Sequence, residues 1–250
     1  MMARPIGRLR AVAAAICLLA TAATPVQAQD IPCTVPDGLA FIGFPLPESW
    51  AQISAGKRLV VLMVGGASIT STAAGGRAYS LPARLEARLR ADLPDKDIAV
   101  VSRDIKGGDT HAAADRMAAN IRETGAKLVV WATGASAAAS GDDIEMFGTN
   151  LEAGINAAKN AKADIVVMDL QYAPSIARVM NQTPYSDAIR GAAEMAAIPM
   201  LPRYELMRAW SYSGELDFDT SSAPERVKVA RKLYDCLAAM LAGGIAGALP

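Results

Sequence analysis

The sequence predicts an α/β fold, a three-layer α/β/α sandwich around a five-stranded parallel sheet. Two observations carry this. Five short apolar runs recur along the chain without polar alternation, as strands covered on both faces require. Stretches of helical periodicity separate them, so each strand-to-strand passage reads as a right-handed crossover.

The elements follow in chain order. "LVVLMV" (Leu59–Val64) is the first strand. Leu81–Asp92 is a helix, with Leu81, Leu85 and Leu89 on one face. Ile98–Ser102 ("IAVVS") is the second strand, followed by a helix over His111–Thr124. Leu128–Ala132 ("LVVWA") and Ile165–Asp169 ("IVVMD") are the third and fourth strands, with a helix over Asp143–Asn160 between them. Tyr185–Ala196 is helical, and Ile198–Leu201 is a short fifth strand. A last helix over Pro224–Ala242 presents Val227, Ala230, Leu233, Leu237 and Leu241 as its buried stripe. The alternation gives the flavodoxin-like sheet order 2-1-3-4-5. Trp131, inside the third strand, reads as core.

The N-terminus reads as a secretory signal peptide over residues 1–28. Arg4, Arg8 and Arg10 form a basic region, Ala11–Ala23 is apolar, and Val26 and Ala28 sit at the small-residue cleavage positions. The apolar run is shorter than the roughly 20 residues of a spanning helix. A periplasmic or secreted location is expected, with residues 29–250 forming one domain. Three of the 25 basic residues and none of the 25 acidic ones fall in the leader, which leaves 22 against 25. No basic run suggests nucleic acid, and no membrane span is expected after cleavage. Two cysteines remain, Cys33 and Cys236. In an exported chain they are expected to pair, rather than to stay as two separate buried thiols. The chain-entropy model assigns a loop of this length roughly 5 kcal/mol.

In open parallel sheets the functional residues collect at the carboxyl ends of the strands. The first end reads "GGAS", with Gly66 and Ser68. The second reads "RDIKGGDTH", with Gly107, Gly108 and His111. The third reads "TGASAAASGDD", with Gly134 and Ser136, and the fourth "DLQYAP", with Asp169, Gln171 and Tyr172. Such glycines let backbone amides approach a ligand closely. No G-x-G-x-x-G follows the first strand and no phosphate-loop lysine is present, so nucleotide binding is not expected. No cluster of His, Cys and carboxylates suggests a metal, and no cofactor is implied.

This set of strand ends resembles the SGNH (GDSL-type) hydrolase superfamily over nearly the whole mature chain. That family carries a Gly-Asp-Ser block after its first strand, a glycine after its second, a Gly-x-Asn-Asp block after its third and Asp-x-x-His before its last helix. Here Gly66-Ala67-Ser68 stands at the first block, with Ala67 in place of the Asp. Gly108 or Gly107 stands at the second. Gly134-Ala135-Ser136-Ala137 keeps the third block's glycine but has Ser136 in place of the Asn. "ELDFDTSSAPER" offers Asp217 and Asp219, with Ser222 in place of the histidine.

The resemblance implies catalytic positions at Ser68, Gly108, Ser136 and Asp219, with Gly66, Gly134, Gln171 and Tyr172 around the substrate. In the family the serine attacks and the histidine takes its proton. Losing one oxyanion donor typically costs about 100- to 1000-fold in rate, and losing the base costs more. His111, the single histidine, is the one candidate base left. It stands at a helix start on the same rim as Ser68, where an imidazole is favoured in its neutral, base-competent form. The plainer reading makes it a surface residue, with Asp109 capping the helix. Ser68 has a plainer reading too, as a residue that turns the chain towards the next helix. Gln171 and Tyr172 are either pocket wall or polar loop, and Trp210 and Tyr212 either line the cleft or pack beneath it.

Two functions follow. One is an exported ester hydrolase or acyl-transfer protein acting on small-molecule or glycan acyl esters. The other is a catalytically degenerate relative that binds a glycan, an acyl ligand or a protein partner.

Overall fold

Each apolar run of the sequence becomes a strand, four of them almost wholly buried, whereas the edge run beginning at Ile98 is only partly covered. The computed structural model describes Met1 and residues 33–41, 43–70 and 73–249, with the backbone alone at Ser68 and Thr70. The leader read from the sequence lies outside the described residues, Met1 apart. The chain divides into Met1–Asp30 and Ile31–Pro250, and the second unit carries the fold.

The helices are α1 (Pro47–Ser54), α2 (Ala67–Thr70), α3 (Leu81–Asp92), α4 (Thr110–Thr124), α5 (Ala135–Ser140), α6 (Ile144–Asn160), α7 (Pro174–Ala177), α8 (Thr183–Ala196), α9 (Arg203–Tyr212) and α10 (Ala223–Gly247). The strands are β1 (Leu59–Gly65), β2 (Ile98–Asp104), β3 (Leu128–Ala132), β4 (Asp164–Met168) and β5 (Met200–Leu201). All pairings are parallel and the order is β2-β1-β3-β4-β5. Helices α3 and α10 pack together on one side, and α4, α6 and α8 on the other. Leu62, Met63, Leu128, Val129, Val130, Val166 and Val167 are wholly buried between the layers. Each such aliphatic side chain contributes about 1.5–3 kcal/mol relative to exposure.

Leu81, Leu85 and Leu89 are buried as their spacing requires. Trp131 is core, packed so tightly that a Cβ on Gly154 would lie 2.4 Å from its ring. Asp109 caps α4 by accepting from the Ala112 N–H at 2.8 Å, and Asp143 caps α6 through the Met146 N–H at 3.0 Å. Such caps contribute about 1 kcal/mol each.

Three features depart from the sequence reading. The fifth strand is shorter than expected, pairing with β4 only through Met200 and Leu201. Helix α9 (Arg203–Tyr212) stands where that reading placed no element. Helix α10 runs on to Gly247, and Cys236–Ala242 is buried without a break rather than along one stripe. The reason is the N-terminal segment, which covers the outer face of α10. Cys33 is disulfide-bonded to Cys236 with Cα atoms 5.7 Å apart. Phe41 packs where a Cβ on Gly244 would stand, and Trp210 donates from Nε1 to the Thr34 carbonyl at 2.6 Å. Trp210 therefore packs beneath this segment.

Candidate active site

Strand register decides which residues meet. Gly65 pairs with Asp104, Val64 with Trp131, Ala132 with Met168, and Met168 with Leu201. The segments that follow these strands therefore share one edge of the sheet. They enclose a cleft of about 250 Å³, lined among others by Gly66, Gly108, Thr133, Ser136, Gln171 and Arg203.

The approach of the first two loops explains Gly66. A Cβ at Gly66 would lie 3.0 Å from the backbone N and Cα of Gly108, so no side chain fits. Gly108 in turn faces Ser136, whose Cβ is 4.0 Å from the place a Gly108 Cβ would take. Gly134 turns the chain out of β3 with φ +92°, and a Cβ there would meet Leu170 and Ile189 at 2.8 Å. Thr133 is held by a buried hydrogen bond between its hydroxyl and that of Thr110, 2.9 Å apart. Gly66, Gly108 and Ser136 thus line one cleft, and the Ser68 backbone lies in α2, two residues after Gly66.

The polar equipment of this half of the cleft is sparse. The Gly108 N–H donates to the Ile105 carbonyl at 2.7 Å, closing its own turn instead of facing the cavity. His111 lies elsewhere. Its Nδ1 is 3.3 Å from Asn150 Oδ1, its Nε2 is 3.4 Å from Asp115 Oδ2, and its side chain is 68% exposed. It belongs to the outer α4–α6 surface and does not line the cleft. Asp219 is likewise engaged outside it. Its Oδ1 accepts from the Ser175 hydroxyl at 2.5 Å, and its Oδ2 lies 3.5 Å from the Arg178 guanidinium. The Ser175 hydrogen bond, ahead of Arg178, holds the Asp219 carboxyl below its ordinary range. Ser222 is the exposed N-cap of α10. Gln171 lines the cleft, whereas Tyr172 is buried behind it, edge-on to Tyr204 with ring centroids 5.5 Å apart. Tyr212 is exposed.

The other half of the cleft holds charge. Arg203 stands one residue beyond Pro202 at the end of β5 and is only 2% exposed. Its Nε has no hydrogen-bond partner among the described residues. Asp169, fully buried at the end of β4, acts on it through space. The Asp169 oxygens are committed to the Ser186 hydroxyl at 2.6 Å and the Tyr204 N–H at 2.8 Å. Burial raises the Asp169 carboxyl to about 6 and lowers the Arg203 guanidinium to about 10. The sequence signal for Arg203 was simple: it is the first charged residue after the fifth apolar run, the one strand end left unread above. Among the described residues no group of His, Cys and carboxylates fits a metal ion, and no helix is long and apolar enough to cross a membrane.

A parallel sheet in this order, with a serine after β1 and glycines after β2 and β3, defines an SGNH-hydrolase-like protein. Solved structures agree on the fold. LAE5, an α/β hydrolase from the metagenome of Lake Arreo, Spain, superposes with a TM-score of 0.58 at 14% identity, over 75% of this chain and 95% of its own. TesA gives 0.55 at 19% identity, over 71% and 97%. A variant of Axe2, an acetyl-xylooligosaccharide esterase from Geobacillus, gives 0.55 at 16% identity, over 70% and 91%. The chain belongs to the Non-GDSL lipase-like family, whose model matches residues 32–249. No curated protein matches it significantly.

Proposed function

We propose that this chain is an exported, catalytically degenerate SGNH-type protein that binds an acyl ester, or the acid derived from one, in the strand-end cleft. One observation carries the reading. Among the described residues, the cleft lining includes no imidazole and no carboxylate, while the only histidine is occupied on the outer surface. A serine without a positioned base lacks the roughly 10²–10⁴-fold that proton transfer supplies. Export rests on the leader and is consistent with the disulfide, which persists in oxidising compartments.

The second reading is a slow ester hydrolase or acyl-transfer protein. Ser68 at the end of β1 favours it, as does the fold shared with an acetyl-xylooligosaccharide esterase. A fluorophosphonate probe and an activated acetyl ester separate the two. The expected result is no label on Ser68 and turnover equal to that of Ser68→Ala. Rapid turnover abolished by Ser68→Ala would overturn the degenerate reading, and further loss in His111→Ala would make the lone histidine a displaced base.

A further inference from the structure

Arg203 is the feature of the cleft that neither the fold nor the missing triad explains. A guanidinium taken out of water costs several kcal/mol unless partners replace the hydration. Buried Arg is therefore ordinarily seen in an ion pair or a full set of hydrogen bonds. Here Nε has none, and no carboxylate of the described residues lies within ion-pair distance. The one nearby carboxylate, Asp169, spends its oxygens on Ser186 and Tyr204. Asp169 thus balances the charge from behind without occupying the guanidinium's donors.

The side chain borders the same cavity as Thr133, Ser136 and Gln171, all of them neutral. The cleft therefore carries one buried positive charge and no negative one among its described lining residues. We propose that Arg203 is an oxyanion-binding residue, and that the cleft's ligand carries a carboxylate or phosphate that pairs with its guanidinium. The planar fork of donors suits either group through two parallel hydrogen bonds. The guanidinium, lowered only to about 10, stays charged at neutral pH. This rests on the reading of the cleft as the ligand site, but not on turnover.

The test is titration calorimetry of the purified protein with inorganic phosphate and with succinate, against neutral methyl acetate. Saturable binding of phosphate or succinate, and none of methyl acetate, is expected. Which anion binds tells a phosphate-bearing ligand from a carboxylate-bearing one. Arg203→Met is expected to weaken that binding about 10- to 100-fold, the worth of charge-assisted hydrogen bonds, and Arg203→Lys to restore part of it. No binding of either anion by the wild type, or equal binding by a folded Arg203→Met, would overturn the proposal. Should these variants unfold, ¹⁵N spectra of the wild type decide. The slowly exchanging arginine Nε–Hε resonance of a buried guanidinium should move on titration, and its indifference to both anions would overturn the proposal. Anion binding without hydrolysis leaves this inference standing while it removes the esterase reading. Hydrolysis without anion binding does the reverse.

Discussion

The two halves of the cleft differ in kind. The half built by β1, β2 and β3 is backbone and small side chains: Gly66 pressed against Gly108, with Ser136 opposite. The half next to β4 and β5 borders on charge: Arg203, just past β5, lines the cleft, and Asp169, at the end of β4, is wholly buried outside that lining. In the SGNH superfamily that this chain resembles, the chemistry belongs to the first half, completed by a histidine before the last helix. Here the first half keeps its glycines and has no imidazole or carboxylate among the described lining residues, while the second holds a buried guanidinium whose Nε has no hydrogen-bond partner among the described residues. The difference teaches that one fold can keep the backbone frame of a site while its charged group sits across the cleft.

The sharpest way to break this comparison is to remove the charge behind Arg203. Asp169→Ala leaves the Ser186 hydroxyl and Tyr204 N–H unpaired and Arg203 without a counter-charge, so urea denaturation should show a loss of about 3–5 kcal/mol. The same carboxyl sets a pH dependence. Burial raises it to about 6 in the folded chain, against roughly 3.9 unfolded. The folded state thus holds this proton more tightly, so its contribution is full below about pH 4 and is lost as pH rises to about 6. The linked change is ~3 kcal/mol. Asp169→Asn keeps an acceptor for Tyr204 and should flatten that slope; an unchanged slope would assign it to other groups.

A smaller effect sharpens the glycine half. Gly66→Ala forces a Cβ to within 3.0 Å of Gly108 backbone, and should cost about 1–3 kcal/mol. Gly148→Ala, in α6 with nothing within 4 Å of its Cβ position, should instead stabilise by about 0.5–1 kcal/mol. Equal melting temperatures for the two variants would deny the close approach.

The smallest expected effect concerns His111. Held by Asn150 and Asp115 at an exposed site, it should tolerate alanine within about 0.5 kcal/mol. Any residual ester turnover should be unchanged. A fall in turnover would place the imidazole at the cleft and join the outer α4 surface to the site.

The sequence by itself determined the frame. Strands covered on both faces must be continuous apolar runs, and helices on a sheet must repeat near 3.6 residues, so the order β2-β1-β3-β4-β5 was legible from Leu59 to Leu201. The two cysteines outside the expected leader admitted a single pairing, and Asp109 was legible as a cap, whereas Asp143, read as the first residue of its helix, proved to cap it. Gly66, Gly108 and Ser136 were legible because the switch-point rule gathers strand ends on one edge. What only the tertiary structure decided was where side chains point and what they meet. Asp219 lies in the loop where the superfamily keeps an acid, yet it turns to Ser175 and Arg178. His111 starts a helix on the right rim, yet its ring packs across to Asn150, thirty-nine residues on. Arg203 follows a strand whose end at Leu201 was legible, yet its burial to 2% exposure was not. Periodicity records which faces lose water, because that cost is local. The partner of a polar group is set by contacts between distant segments, which no local pattern carries.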